Sequence, residues 1–351
     1  MMSNGLEGVI AAETRLSDVD GERGRLILVG HDVEELAGRA SFAEVCALFT
    51  TGGSSAEAAA ALARGRALGF DRLARVGDAL EAEDGMDALR AAAAHLPDQA
   101  PPLQIVGALA SLAAAWARTR AGLAPLPPDS ALDHAADYLR MVRGDAPSAA
   151  ARALDAYLVT VIDHGMNAST FTARVVASTG SDLVSSIVAA IGALKGPLHG
   201  GAPGPVLDML DAIAEPARAE AWLEEELAAG RRLMGMGHRI YRVRDPRAAV
   251  LERALERLEQ GGLRTTRLSL ARAVERAAEG VLARRHPDRA LKANVEFYTA
   301  VLLDAVGLPR TLFSPTFAVG RAAGWCAHVA EQREHGRLIR PSSRYVGKLP
   351  G

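Results

Sequence analysis

Apolar positions recur at helical spacing along almost the whole chain, and only residues 6–30 break the habit. There Leu6–Ala12 and Arg25–Val29 are short β-prone runs, separated by the turn-rich stretch from Asp18 to Gly24. Beyond them, Ser41 supplies a cap for a helix with Phe42, Val45 and Phe49 on one face. Residues 55–98, rich in alanine and charge, predict helix. Ile105–Arg118 is apolar on every side, the pattern of a buried helix. Residues 124–129 read as loop. Pro147–Ile162 aligns Leu154, Leu158, Val161 and Ile162, and further helices are expected over 169–178, 182–195, 205–213 and 216–229. Asp245-Pro246 opens another, with Val250, Leu251, Leu255 and Leu258 as its stripe. Leu270, Val274, Ala277 and Val281 mark the next, Asn294 caps 295–305, and Ser314-Pro315 starts a long helix ending near Glu334. The tail from Gly336 is irregular. With no internal repeat and no βαβ alternation, the pattern predicts a mainly α fold with a small N-terminal β element.

Composition narrows the class. A chain of 351 residues implies two domains, or one body with a second lobe. With 49% hydrophobic and 23% charged residues it reads as globular. A net charge of −2 argues against binding nucleic acid through phosphate neutralisation. Only Lys195, Lys292 and Lys348 are lysines, so Schiff-base chemistry has few candidates, whereas arginines for carboxylate or phosphate recognition abound. Cys46 and Cys326 lie in apolar helical surroundings and form no CxxC, which points to a reducing cytoplasm without zinc site or disulfide. The N-terminus lacks a basic segment followed by an apolar run, so no signal peptide is expected. The apolar stretch Leu183–Leu194 is too short for a bilayer, so no membrane partner is expected either.

Several familiar motifs fail. Gly235-Met236-Gly237 begins like a dinucleotide fingerprint, but position 240 is Ile and the preceding segment is helical where a strand is needed. There is no HExxH, P-loop or GxSxG. His164, His199 and His238 have no ligand partner at i+3 to i+5, so no metal is expected.

What remains is a set of polar groups where packing would not ask for them. His199 sits on a tight turn between Pro197-Leu198 and Gly200-Gly201, whose glycines allow unusual backbone and close approach. Asp163 to Asn167 ends an apolar helix and carries His164. Met234–Arg247 carries His238 after two glycines. Arg247, in a helix first turn with its unpaired N–H groups, suits a carboxylate ligand. Glu296 lies in another helix first turn, where the dipole favours the ionised carboxylate. Arg321 falls at helical spacing from Phe317 and Trp325 on an apolar helix, so it needs either an internal salt bridge or a bound anion. Histidines, a carboxylate and arginines together suggest a metal-free carbon–carbon condensation. The carboxylate takes a proton from carbon, one histidine stabilises the enolate oxygen, a second protonates an acceptor carbonyl, and arginines hold a polycarboxylate.

These residues fall in stretches that resemble the citrate synthase family, including 2-methylcitrate synthases. GLEGVIAAETRLSDVDGERGRLILVGHDVEELA (5–37), DHGMNASTFTARVVASTGSDL (163–183), GALKGPLHGGA (192–202), MGMGHRIYRVRDPRA (234–248), NVEFYTA (294–300), FAVGRAAGW (317–325) and IRPSSRYVG (339–347) follow in the family's order. The likeness covers nearly the whole chain and is weakest between about 50 and 125. It implies a two-domain α-helical protomer in a homodimer, with a large domain of residues 1–201 plus 308–351 and a small mobile domain of 202–307. It implies that His199 stabilises the enol of acetyl-CoA, that His238 acts on the oxaloacetate carbonyl, and that Glu296 is the base. His164, Arg247 and Arg321 match groups that hold oxaloacetate, and Arg340 matches an arginine supplied across the dimer interface. Arg242 falls where a basic residue contacts the CoA phosphate, and Met234, Gly235 and Gly237 would lie near the adenine. No permanently bound cofactor is implied; acetyl-CoA or propionyl-CoA enters as co-substrate.

The chain departs from the family at Glu296, where the usual base is aspartate, and a displacement of about 1 Å can cost roughly 100-fold in rate. APGPVLDML after His199 and His31 in place of a common tyrosine also differ. Three readings stay open: citrate formation in the tricarboxylic acid cycle, 2-methylcitrate formation or both, and a weakly catalytic homologue that senses CoA or polycarboxylates or serves as a partner subunit.

Overall fold

In the computed structural model, which describes all residues except 1–3, 7, 51–52, 201–202, 239, 264–265 and 349–351, the helical spacing becomes fifteen α-helices. In order they are α1 (Val33–Leu36), α2 (Phe42–Phe49), α3 (Ser55–Arg72), α4 (Gly85–Ala93), α5 (Pro102–Arg120), α6 (His134–Arg143), α7 (Ser148–Val161), α8 (Ala168–Ser178), α9 (Leu183–Leu194), α10 (Pro203–Ile213), α11 (Ala219–Ala228), α12 (Pro246–Gln260), α13 (Thr266–Arg285), α14 (Val295–Ala305) and α15 (Phe313–His335). The polar residues that precede them act as caps. Ser41 and Ser54 build reciprocal boxes with Glu44 and Glu57, and Asp84, Asn167, Asp182, Asp245 and Asn294 each accept first-turn N–H groups.

The β element exists, but its first strand is not Leu6–Ala12. A hairpin of β1 (Ser17–Asp20) and β2 (Arg25–Leu28) pairs Ser17 with Leu28 and Asp20 with Arg25, and β3 (His31–Asp32) adds to the far side of β2. Asp18–Asp20, expected in the turn, are therefore strand, and the turn is confined to Gly21–Gly24. Local closure wins because it buries Leu26 and Leu28 and pairs Arg25 with Asp32 across the sheet. The described residues of Leu6–Ala12 find no partner strand, and Val9 and Ile10 stay exposed.

α5 is buried from Leu103 to Trp116 except for Gln104, and α3, α4, α6 and α15 pack around it. α8 and α9 lie against each other and against α15. α10 to α14 pack largely on one another, and α12 and α14 also rest on α7. α7 is thus where the two groups of helices meet. Among the described residues no helix is long and apolar enough to cross a membrane. Gly201, at the expected domain boundary, lies outside the described residues.

Candidate active site

His164 stands in the turn between α7 and α8. Its neighbour Asp163 is fully buried, 3.2 Å from the His328 ring and hydrogen-bonded by the Ser17 hydroxyl. The Gly165 N–H also donates to Ser17 Oγ, at 3.0 Å, so β1 pins this turn. The His164 ring is buried, its Nε2 lies 3.1 Å from the Tyr241 hydroxyl, and the ring meets that of His238 edge-on at 5.5 Å. Burial, then the charge of Arg247, holds it well below the usual histidine range, so the ring is neutral.

His199 sits on the turn after α9. Gly200 is required there for close approach rather than unusual backbone: a Cβ at this position would lie 2.6 Å from the Leu194 carbonyl oxygen. The Ser314 hydroxyl at the head of α15 donates to the Gly200 carbonyl. The decisive contact comes from α8. Ser169 is the second residue of that helix, so its N–H has no intrahelical partner, and it donates to His199 Nε2 at 3.2 Å. A nitrogen that accepts carries no proton, so the neutral ring bears its hydrogen on Nδ1. Burial, with Arg321 adding to it, depresses this histidine to about 4.

His238 mirrors this arrangement with its nitrogens exchanged. Its Nδ1 accepts the N–H groups of Ile240 and Tyr241 at 3.0 and 3.1 Å, leaving the proton on Nε2. Burial, then Arg247, depresses it to about 4 as well. The Met234–Arg247 segment is a strap stitched to the start of α14. Gly235 and Gly237 offer their carbonyls to the N–H and side-chain amide of Asn294, and Gly237 N–H donates to Lys292 O. Gly235, with φ +73°, lies flat on Phe297, where a Cβ would stand 2.9 Å from the Phe297 Cβ.

Arg247 is buried, and the carboxylate it holds here is internal: Asp245 grips it through Nε at 3.0 Å and Nη2 at 2.7 Å while capping its N–H. That grip orients the guanidinium, and among the described residues Nη1 has no hydrogen-bond partner. Arg321 is different. It is buried at mid-α15 and makes no ion pair among the described residues; its Nε donates to the Val161 carbonyl at 2.5 Å and its plane lies over the Phe317 ring. Burial pulls this guanidinium down to about 10, against the more distant Asp163. An internal salt bridge therefore does not account for it, and a buried cation without one suits a bound anion.

Glu296 occupies the first turn of α14, where Asn294 Oδ1 accepts its N–H at 2.9 Å. The helix dipole alone predicts an ionised carboxylate; burial outweighs it and raises the group to about 7, while Arg247 opposes that rise. Electrostatic coupling ties the six groups together: His164 responds to Arg247, His238, Arg321 and His199, and Glu296 responds to Arg247.

Arg340 does not join them within the chain. It is exposed in the tail after α15. The Arg242 side chain is exposed too, and its backbone N–H donates to Gly21 at the hairpin tip. Met234, Gly235 and Gly237 line the strap rather than the polar centre. The sequence pattern assigns no role to Ser169 or Tyr241, and to Asp245 only that of a cap. Ser169 carried a signal, since a second helical residue has a free N–H; Tyr241 carried none.

Residues 5–342 match the family described as "Citrate synthase, C-terminal domain". The chain is 39% identical to a putative citrate synthase 2 of Mycobacterium tuberculosis, covering 99% of this chain and 93% of that one. It is 36% identical to a 2-methylcitrate synthase of the same organism, covering 100% and 93%. Its fold superposes with a TM-score of 0.89 on citrate synthase from Thermoplasma acidophilum in ternary complex with carboxymethyl coenzyme A and oxaloacetate, at 27% identity over 100% of this chain and 97% of that one.

Proposed function

The chain belongs to the citrate synthase family, acyltransferases that convert the acyl group into alkyl on transfer, and we propose that it condenses acetyl-CoA with oxaloacetate and hydrolyses citryl-CoA to citrate and CoA. The observation that carries this reading is a pair of neutral imidazoles, each tied at one nitrogen by backbone N–H and offering the other N–H, beside a buried carboxyl poised at about 7.

In this reading Glu296 takes a proton from the acyl methyl, and the Nδ1–H of His199 donates to the thioester oxygen where negative charge develops. The resulting enol carbon attacks the ketone carbon of oxaloacetate, whose oxygen takes the Nε2 proton of His238 and becomes the hydroxyl of citryl-CoA; the proton that Glu296 has taken from the methyl balances the one His238 gives up. Water then cleaves the thioester, releasing CoA. His164, Arg247 and Arg321 hold the dicarboxylate, completed by Arg340 of the partner subunit in a homodimer. Arg242 and the Met234–Gly237 backbone lie along the CoA. Residues 202–307 close over both substrates, excluding water until the carbon–carbon bond is made. No permanently bound cofactor or metal takes part, and the enzyme works in the cytoplasm, feeding the tricarboxylic acid cycle.

Glutamate at 296 favoured a weakly catalytic sensor in the sequence; a carboxyl raised to about 7 is instead suited to a general base near neutral pH, which supports catalysis. Propionyl-CoA is the second reading, favoured by the 2-methylcitrate synthase relative. One methylene is worth only about 1–3 kcal/mol of discrimination, so both substrates turning over is compatible with this site. Thiol release from acetyl-CoA and from propionyl-CoA, each with oxaloacetate, tests the reading: release from at least one is expected, and release from neither overturns it.

A further inference from the structure

Tyr157 is one of five tyrosines, and the other four hydroxyls are paired. Tyr138 meets Thr316 Oγ1 at 2.8 Å, Tyr241 meets His164, Tyr298 donates to Glu275 at 2.6 Å, and the exposed Tyr345 donates to the Lys348 carbonyl. Tyr157 is fully buried and its hydroxyl has no hydrogen-bond partner among the described residues. A buried hydroxyl left unpaired costs stability and calls for an explanation.

Its place in the fold supplies one. Tyr157 lies on α7, the helix against which α12, α14 and α15 pack, and those three carry Arg247, Glu296 and Arg321. It stands one turn before Val161, whose carbonyl takes the Arg321 Nε–H, so the two share a helix face. Arg321, Glu296 and Arg247 all act electrostatically on its hydroxyl, Arg321 most strongly. Burial keeps the phenol protonated, so it is a donor in search of an acceptor. Glu296 is not that acceptor, since no hydrogen bond joins them. Arg321 beside it is a buried cation without an ion pair among the described residues.

We propose that the Tyr157 hydroxyl belongs to the dicarboxylate-binding site, donating a hydrogen bond to the same substrate carboxylate that Arg321 holds. The assignment rests on the reading of oxaloacetate as substrate. Tyr157 binds; it transfers no proton.

Tyr157→Phe removes only the oxygen. Calorimetric titration of oxaloacetate into this variant is expected to give a Kd about tenfold to a hundredfold above wild type, as for a lost hydrogen bond to a charged group. The KM for acyl-CoA at saturating oxaloacetate stays at the wild-type value. The ligand-free Tm stays or rises, because an unpaired buried group has been removed. Combined with Arg321→Gln, the two losses in affinity are less than multiplicative, since both side chains serve one carboxylate. Wild-type affinity in Tyr157→Phe, fully multiplicative losses, or a fall in ligand-free Tm each overturn the assignment. A wild type that binds no oxaloacetate overturns the functional reading itself and this assignment with it.

Discussion

The backbone N–H of Ser169 donates to Nε2 of His199 at 3.2 Å, and the Ser169 hydroxyl lies 2.8 Å from the same nitrogen. An orphan donor of a helix first turn thereby sets the tautomer of a ring on a different turn. The proton is left on Nδ1, the nitrogen available to a substrate oxygen.

If His199 donates to the developing oxyanion, replacing it by alanine removes one such donor. The expected loss in kcat is about 100- to 1,000-fold, with the Kd for oxaloacetate close to wild type. Ser169→Ala keeps the backbone N–H and therefore the tautomer, so its loss is much the smaller of the two. Steady-state kinetics on both variants checks the ordering; equal losses would show that the hydroxyl, not the N–H, orients the ring.

As the proposed base, Glu296 must be ionised to accept a proton, and burial raises it to about 7. The rate at subsaturating acyl-CoA is therefore expected to fall tenfold per pH unit below about 7. His199 and His238, both depressed to about 4, are already neutral throughout that range and add no break. A pH profile of kcat/KM with its acid limb centred near the ordinary carboxylate range would contradict the tuning. Glu296→Asp keeps the charge but withdraws it by a methylene, and a loss on the order of 100-fold is expected because this backbone has been set for the longer side chain.

The same carboxyl makes a stability prediction. Its pKa is raised from 4.5 unfolded to about 7 folded, so between those values the folded state holds more protons and stability falls as pH rises. Glu296→Gln abolishes that dependence. The variant is expected to melt above wild type at pH 8, by up to about 3 kcal/mol in stability, with the gap closing towards pH 4.5. Melting curves across this range for both proteins decide it, and a constant gap would show that the substitution acts through packing instead.

If Arg340 serves the neighbouring protomer, inactive variants will complement each other. Mixed refolding of Arg340→Ala with Glu296→Gln creates heterodimers in which one site has both its own Glu296 and its partner's Arg340. About a quarter of wild-type activity is then expected from a mixture whose parents have little. Failure to recover activity, with heterodimers confirmed by mass, places Arg340 within its own protomer's site or outside any site.

The helices were legible because their signals are local: an apolar stripe at 3.6-residue spacing and a polar cap. Ser41, Asp245 and Asn294 cap where the spacing put them. Strand pairing is not local, and there the reading slipped. The run from Leu6 to Ala12 has β propensity, but its described residues find no partner, whereas Ser17–Asp20, hidden in a polar stretch, is drawn into strand by the four-residue turn beside β2.

In the site the division is similar. The sequence by itself determined which chemical groups are available: three histidines, an arginine in a helix first turn and another on an apolar helix, and a glutamate at a helix start. Their chemical state came from the tertiary structure. Helix packing excludes water from Glu296 and raises it where the helix dipole alone would keep it ionised. Ser169 and the Ile240–Tyr241 backbone choose opposite tautomers for two histidines that look alike in the chain. Asp245 claims Arg247, and the crossing of α7 and α15 leaves Arg321 buried without an ion pair among the described residues. Residue type and periodicity are written along the chain, but protonation and pairing depend on which groups lie within about 3 Å and on how much water remains, and only the assembled fold sets those.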